Sequence, residues 1–298
     1  KRPLGIPTIE DRIVQQSVVN VLQPKFEDQL FHNWSVGYRP NRGVKRALQI
    51  ILWNIESGYN HIYDCDIKGF FENIPHKKLI GVLKKYVSDR TVLNMVEQWL
   101  KAGYMEEGKK IHSDYGTPQG GVISPLLANV YLNELDWEWD LHKIRFVRYA
   151  DDFLLFAKTK EDIKKAASLT NEKLKELGLE ISNAKTKIVD FRKDDFDFLG
   201  FTFNHWKEGK KDKKPVFHVT PKKESIKDFR LKIKEKTQKT LTLNKEAWIN
   251  RVNPIIRGKV NYYVAIIEAI KENIKLGNSK SLRNKVGSEN PAGFGWVY

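Results

Sequence analysis

The chain has 298 residues, room for one large domain or two ordinary ones, and 41% of them are hydrophobic, so wholesale disorder is excluded. Its single cysteine, Cys65, excludes a disulfide framework and a cysteine-rich zinc site, and fits a reducing compartment. Formal net charge is +15, divided unevenly: residues 1–200 hold 30 Lys and Arg against 28 Asp and Glu, and residues 201–298 hold 22 against 9. A basic module joined to a near-neutral one suggests a grip on a polyanion beside some other activity. The alternative is a solubilising or lipid-facing surface. No apolar run reaches the ~18 residues that cross a bilayer, so no membrane partner is expected. No secretory signal is visible, and a cytoplasmic location is expected, in a bacterial cytosol or an organelle. The chain opens Lys1-Arg2-Pro3, and a missing N-terminal portion is expected.

The first element expected is a helix over 9–31, with Ile13, Val14, Val18, Val21 and Leu22 near helical spacing and a break or new helix start at Pro24. Ser, Gly, Pro and Asn make 34–43 a loop. A second amphipathic helix covers 44–57 and stops at Gly58. Residues 61–67 alternate like a strand. Helices follow over 76–87 and 91–102, then a loop over 116–121. Pro125 opens a helix running to about Leu141. Strands over 145–150 and 153–157 form a hairpin around Asp151 and Asp152. A helix covers 160–177, and strands cover 187–191 and 196–203. Residues 207–214 form a charged tip. A helix over 222–239 and two shorter helices complete the chain. The order suggests an α+β sheet domain over 1–220 and a basic helical appendage over 221–298.

Tyr149-Ala150-Asp151-Asp152 sets two acids at the tip of a hairpin with apolar arms. A polar turn is the plain alternative, because Asp favours turns. The sequence Asp64-Cys65-Asp66 supplies more acid at the end of a hydrophobic strand. If that strand lies beside the hairpin, backbones ~4.8 Å apart bring Asp66 near Asp151. Such carboxylates suit two hard cations ~3.5–4 Å apart, as used in phosphoryl transfer. Asp64 lies on the same face two residues earlier and reads as a structural acid or an outer support.

These segments resemble motifs A and C of reverse transcriptases: a strand ending in Asp66, and a Tyr-x-Asp-Asp hairpin with Ala150 in the variable place. Thr117-Pro118-Gln119-Gly120-Gly121-Val122-Ile123-Ser124-Pro125-Leu126 resembles motif B in its group II intron form. Other blocks follow in the family's order. Residues 2–7 with Asp11 and Arg12, and then 35–40, resemble the first two fingers blocks. Residues 177–182 with Lys185 and Thr186 resemble motif D. Residues 198–201 resemble the primer grip, and 251–258 with 261–263 the maturase thumb. The last thirty residues match no block of the family.

The resemblance implies a right-hand polymerase, with fingers and palm over 1–220 and a maturase-like helical thumb over 221–298. It implies an RNA-directed DNA polymerase that uses two Mg²⁺ ions, with Mn²⁺ able to substitute. The metal-binding catalytic carboxylates would be Asp66, Asp151 and Asp152. The implied partners are an RNA template, a DNA or RNA primer, dNTPs and group II intron RNA, whose splicing the chain would aid. Phe71 would be the aromatic gate against a ribose 2′-hydroxyl, or else core beside Phe70. Gln119 would face the nucleotide from a glycine-rich loop, or simply make a turn. Lys185 would neutralise phosphate charge, or else be solvated. Arg2 and Arg12 would reach the triphosphate, with surface ion pairing as the alternative. Leu199 and Gly200 would support the primer terminus.

In the basic appendage, Lys222, Lys223, Lys227, Arg230, Lys232, Lys234 and Lys236 surround apolar Ile226, Phe229 and Ile233. Such a helix can bury one face and offer cations to phosphates with the other. A solvated charged face is the alternative. Trp248, Tyr262 and Tyr263 read as thumb core.

Overall fold

The computed structural model describes residues 7–106, 109–111, 114–117, 120–207, 216–238 and 244–276. Arg2 and Gln119, most of the charged tip and the last residues of the chain lie outside that set. The elements run α1 (Ile9–Gln29), α2 (Val44–Glu56), β1 (His61–Cys65), α3 (Phe70–Asn73), α4 (His76–Leu83), α5 (Arg90–Lys101), β2 (Tyr104–Glu106), β3 (Lys109–Ile111) and α6 (Ser124–Leu141). Then come β4 (Arg145–Tyr149), β5 (Asp152–Ala157), α7 (Lys160–Leu177), β6 (Lys187–Asp190), β7 (Phe196–Phe198), β8 (Phe201–Lys207), β9 (Val216–Pro221), α8 (Lys223–Lys236) and α9 (Lys245–Leu276).

Two compact units divide the chain at Val189 and Asp190. This boundary lies earlier than the expected one near Pro221. The reason is aromatic packing: Phe201 of β8 meets the rings of Tyr262 and Tyr263 on α9, so the strands after β6 build their core with the following helices.

The first unit is centred on a sheet of order β4-β5-β1-β6. Strand β5 is antiparallel to both β4 and β1 and buries Phe153, Leu154, Leu155 and Phe156 on its two faces. Helices α6 and α7 pack with this sheet, and Trp139 of α6 meets the rings of Phe146 and Phe153. The Trp139 indole N–H is satisfied by Thr170 Oγ1 at 2.9 Å, as a fully buried donor requires. Thr159 caps α7 through the Asp162 N–H, and left-handed Gly178 ends it.

Helix α1 departs from the expected pattern in two ways. It runs unbroken through Pro24, with Leu22 and Phe26 buried on either side of the missing donor. Packing outweighs a proline penalty of ~3 kcal/mol. Its buried face is Gln15, Val18, Val19, Leu22 and Phe26, while Ile13, Val14 and Val21 are exposed. Two apolar faces compete in that segment, so periodicity alone could not choose the inner one.

The second unit contains a sheet of order β7-β8-β9 and helices α8 and α9. The expected single strand over 196–203 is a two-residue hairpin, because Leu199 and Gly200 both take left-handed φ (48° and 79°). Two positive φ values in a row make a type I′ turn, the form that matches strand twist. The expected pair of short helices near the end is one helix, α9, continuous through Pro254.

Candidate active site

The geometry starts with β-register. Cys65 pairs with Phe153, and Tyr149 pairs with Asp152. Extending the first register by one residue sets Asp66 opposite Asp152 and next to the turn residue Asp151. Adjacent strands lie ~4.8 Å apart, so the acids share one end of the sheet. Asp66 is half-buried, and its backbone is fixed from the far side by the Ser182 N–H donating to the Asp66 carbonyl at 2.8 Å.

Lys185 lies on that same far side. Its Nζ is 3.3 Å from Asp66 Oδ1 and 3.2 Å from Oδ2. The lysine side chain is 63% exposed, so the pair adds little to stability. It does show that the Asp66 carboxylate faces a cation. Asp64 points instead to Lys187 of β6 at 4.0 Å, as a structural acid would.

The turn between β4 and β5 is held by a buried scaffold that the sequence did not announce. Arg148 of β4 is fully buried. Its Nε and Nη2 donate to Asp136 of α6 at 2.7 and 2.5 Å. Its Nη1 donates to Asn129 Oδ1 and to the carbonyl of Ala150, both at 2.9 Å. Asn129 in turn donates to the Gly37 carbonyl at 2.8 Å. Residues 34–36 pair with Arg148 through Val36 N–H to its carbonyl and its N–H to the Trp34 carbonyl. A Cβ on Gly37 would stand 2.2 Å from the Ala150 nitrogen, so only glycine lets that segment reach the turn. Ala150 takes left-handed φ (60°), which costs an L-residue ~1–2 kcal/mol. The surrounding hydrogen bonds hold it there, as strained positions require.

Phe71 sits at the edge of this region. Phe70 is core, and Phe71 is half-buried against it, with ring centroids 5.1 Å apart. The other side of Phe71 meets the Tyr38 ring edge-on at 6.4 Å. The Phe71 carbonyl accepts from the Thr117 N–H at 2.7 Å, which ties the glycine-rich loop to this segment. His76 helps, with Nε2 2.6 Å from the Gly116 carbonyl.

The remaining expected residues are dispersed. Arg12 is exposed in the first turns of α1. Lys222 is ion-paired to Asp197 at 3.1 Å rather than presented alone. Lys223, Lys227, Arg230 and Lys234 are exposed, and their spacing of four, three and four puts them on one stripe of α8. Ile226, Phe229 and Ile233 are half-buried on a neighbouring stripe, about a quarter turn away. The carbonyl of Leu199 accepts from the Tyr262 hydroxyl at 2.9 Å. Tyr263 is buried as expected, Trp248 is exposed, and Tyr262 stays partly exposed although its ring stacks on Phe201.

Whether the acidic end suits a metal ion follows from its donors. They are carboxylate oxygens, the hard ligands that Mg²⁺ prefers. Among the described residues no group of three or more His, Cys, Asp or Glu side chains is placed to hold a metal ion. Mg²⁺ needs none where substrate phosphates complete the shell, so one or two carboxylates on an open edge fit such an ion.

Comparison with known proteins gives the family. A family model described as reverse transcriptase (RNA-dependent DNA polymerase) matches residues 1–203. The Escherichia coli protein YkfC is 30% identical over 67% of this chain and 62% of its own length. The group II intron-encoded protein LtrA of Lactococcus lactis subsp. cremoris is 42% identical over 45% of this chain and 22% of its own. The chain thus spans less than two thirds of the length of either relative. Apo telomerase from Candida tropicalis superposes with a TM-score of 0.51 at 14% identity, over 91% of this chain and 51% of that one, a likeness of fold alone. Its sheet end, its ordered motifs and this match over residues 1–203 make the chain a member of the reverse transcriptase (RNA-dependent DNA polymerase) family.

Proposed function

We propose that the chain is an RNA-directed DNA polymerase of the group II intron type, extending a DNA or RNA primer on an RNA template with dNTPs. The carrying observation is one sheet end that gathers Asp66 with the Asp151–Asp152 turn and sets Lys185 on Asp66. Asp66 and Asp151 would hold two Mg²⁺ ions, with Mn²⁺ able to substitute, and the chemistry those ions would supply is activation of a primer 3′-hydroxyl and stabilisation of the leaving oxygen. Asp66 and Asp151 supply the carboxylate oxygens, and Asp152 orients the turn or adds a third donor. Lys185 carries positive charge to the place where negative charge develops on the departing pyrophosphate. Phe71 presents an aromatic face to the sugar and disfavours ribonucleotides. Gln119, Arg2 and Arg12 contribute contacts to the nucleotide. The Leu199–Gly200 turn supports the primer end, and the α8 stripe binds the phosphate backbone.

The same basic surface gives the chain a second role, aiding the splicing of its intron RNA in a bacterial cytosol or an organelle. The motivating observation is the segregation of charge, with acids in the first unit and the excess of cations after residue 201. Splicing assistance needs a stable RNA-binding surface and no acid cluster. The experiment is primer extension on an RNA template, with dNTPs or rNTPs, with and without Mg²⁺. Asp66→Asn and Asp151→Asn each abolish extension and leave RNA affinity equal or higher, since a repulsive charge is gone. Wild-type rates in either variant refute the assignment. Asp151→Ala still supports splicing at low magnesium, and loss of splicing with normal RNA affinity refutes the separation of roles.

A further inference from the structure

Tyr38 is a large aromatic near the acidic end to which the polymerase reading assigns no task. Its backbone is left-handed (φ 57°), a region that bulky L-residues avoid. Its place is forced by the preceding residue, because Gly37 lies against Tyr149 and Ala150 with no room for a Cβ. The side chain is not tucked away for that strain: Tyr38 is 47% exposed. One side of its ring meets Phe71 edge-on at 6.4 Å and 69°. Burial, and then the charges of Asp151, Tyr149 and Asp152, raise its phenol above the ordinary range, so the ring lies within electrostatic reach of the acidic turn. Strain held at an exposed aromatic, next to a candidate reaction centre, points to contact with a ligand.

Resting on the polymerase reading, we propose that Tyr38 is a second sugar-specificity residue, whose ring forms with Phe71 a two-walled slot that excludes a 2′-hydroxyl. A nucleotide held at the acidic end beside Gly37 and Ala150 carries its sugar past the Tyr38 ring that meets Phe71. A slot closed on two sides rejects an added hydroxyl by shape, and removing either wall relaxes the rejection.

The test is single-nucleotide extension of a DNA primer on an RNA template by the full chain in Mg²⁺. The readout is kcat/KM for an rNTP divided by that for the matching dNTP. Tyr38→Ala raises this ratio about tenfold, and Tyr38→Phe, which keeps the wall, leaves it within about twofold. Tyr38→Gly removes the wall while accepting the left-handed backbone, and raises the ratio as Tyr38→Ala does. A merely structural role lowers both substrates together and leaves the ratio alone. An unchanged ratio in both the Ala and Gly variants overturns the slot, and so does an equal rise in Tyr38→Phe. Those outcomes leave wild-type extension intact. Failure of the wild-type chain to extend with any dNTP overturns the polymerase reading and the slot with it.

Discussion

Arg148 and Asp136 form a bidentate ion pair with both side chains fully buried, Nη2 standing 2.5 Å from Oδ2 and Nε 2.7 Å from Oδ1. The same guanidinium holds the Ala150 carbonyl, so the pair fixes the turn that carries Asp151. Removing one partner strands a buried charge, at a cost of about 3–5 kcal/mol. Asp136→Ala should therefore lose about that much unfolding free energy in a denaturant titration. A loss below about 1 kcal/mol would mean that water or another acid replaces Asp136 without strain.

Gly37 and Gly81 make a matched pair for a single methyl. At Gly37 an added Cβ meets the Ala150 nitrogen at 2.2 Å; at Gly81, within α4, it meets nothing within 4 Å. Gly37→Ala should cost about 1–3 kcal/mol through forced backbone shifts. A displacement of the Asp151 turn by ~1 Å should lower extension about a hundredfold. Gly81→Ala should gain about 0.5–1 kcal/mol by removing helical glycine entropy. Equal behaviour of the two variants in melting and extension assays would dismiss the close approach at Gly37.

The α8 stripe predicts a salt effect. Lys227→Ala and Lys234→Ala should each reduce the slope of log affinity against log salt by ~1, with little dependence on nucleic-acid sequence. Lys222→Ala should change it less, because Asp197 already neutralises that ammonium. Unchanged slopes for Lys227 and Lys234 would reduce the stripe to a solvated face.

Acid stability has a local contributor in Asp140. The His32 imidazole, with Nε2 3.6 Å from Asp140 Oδ1, holds that carboxyl below the usual aspartate range. A depressed carboxylate adds stability that is complete above the unfolded value of ~3.9 and is lost as pH falls through the folded one. Asp140→Asn should remove that part of the acid limb and leave the difference from wild type constant below it. Parallel curves from pH 7 to the end of the acid limb would clear the pair of any role.

The sequence by itself laid out the candidate acids and their order, because a strand ending in Asp66 and an Asp151–Asp152 hairpin are local features written in short-range pattern. It likewise determined the α8 stripe, since cation and apolar positions repeat at helical spacing. Tertiary structure decided what long-range packing controls. Gly37 and Arg148 are over a hundred residues apart, and no local period reveals that one must pass against the turn that the other holds. Helix α1 offered two apolar faces, and only the layer beneath it chose Val18, Leu22 and Phe26 for the interior. The unit boundary moved to Asp190 for the same reason: Phe201 finds its core partners on α9, a contact whose energy lies in burial between segments and not in either segment's own sequence.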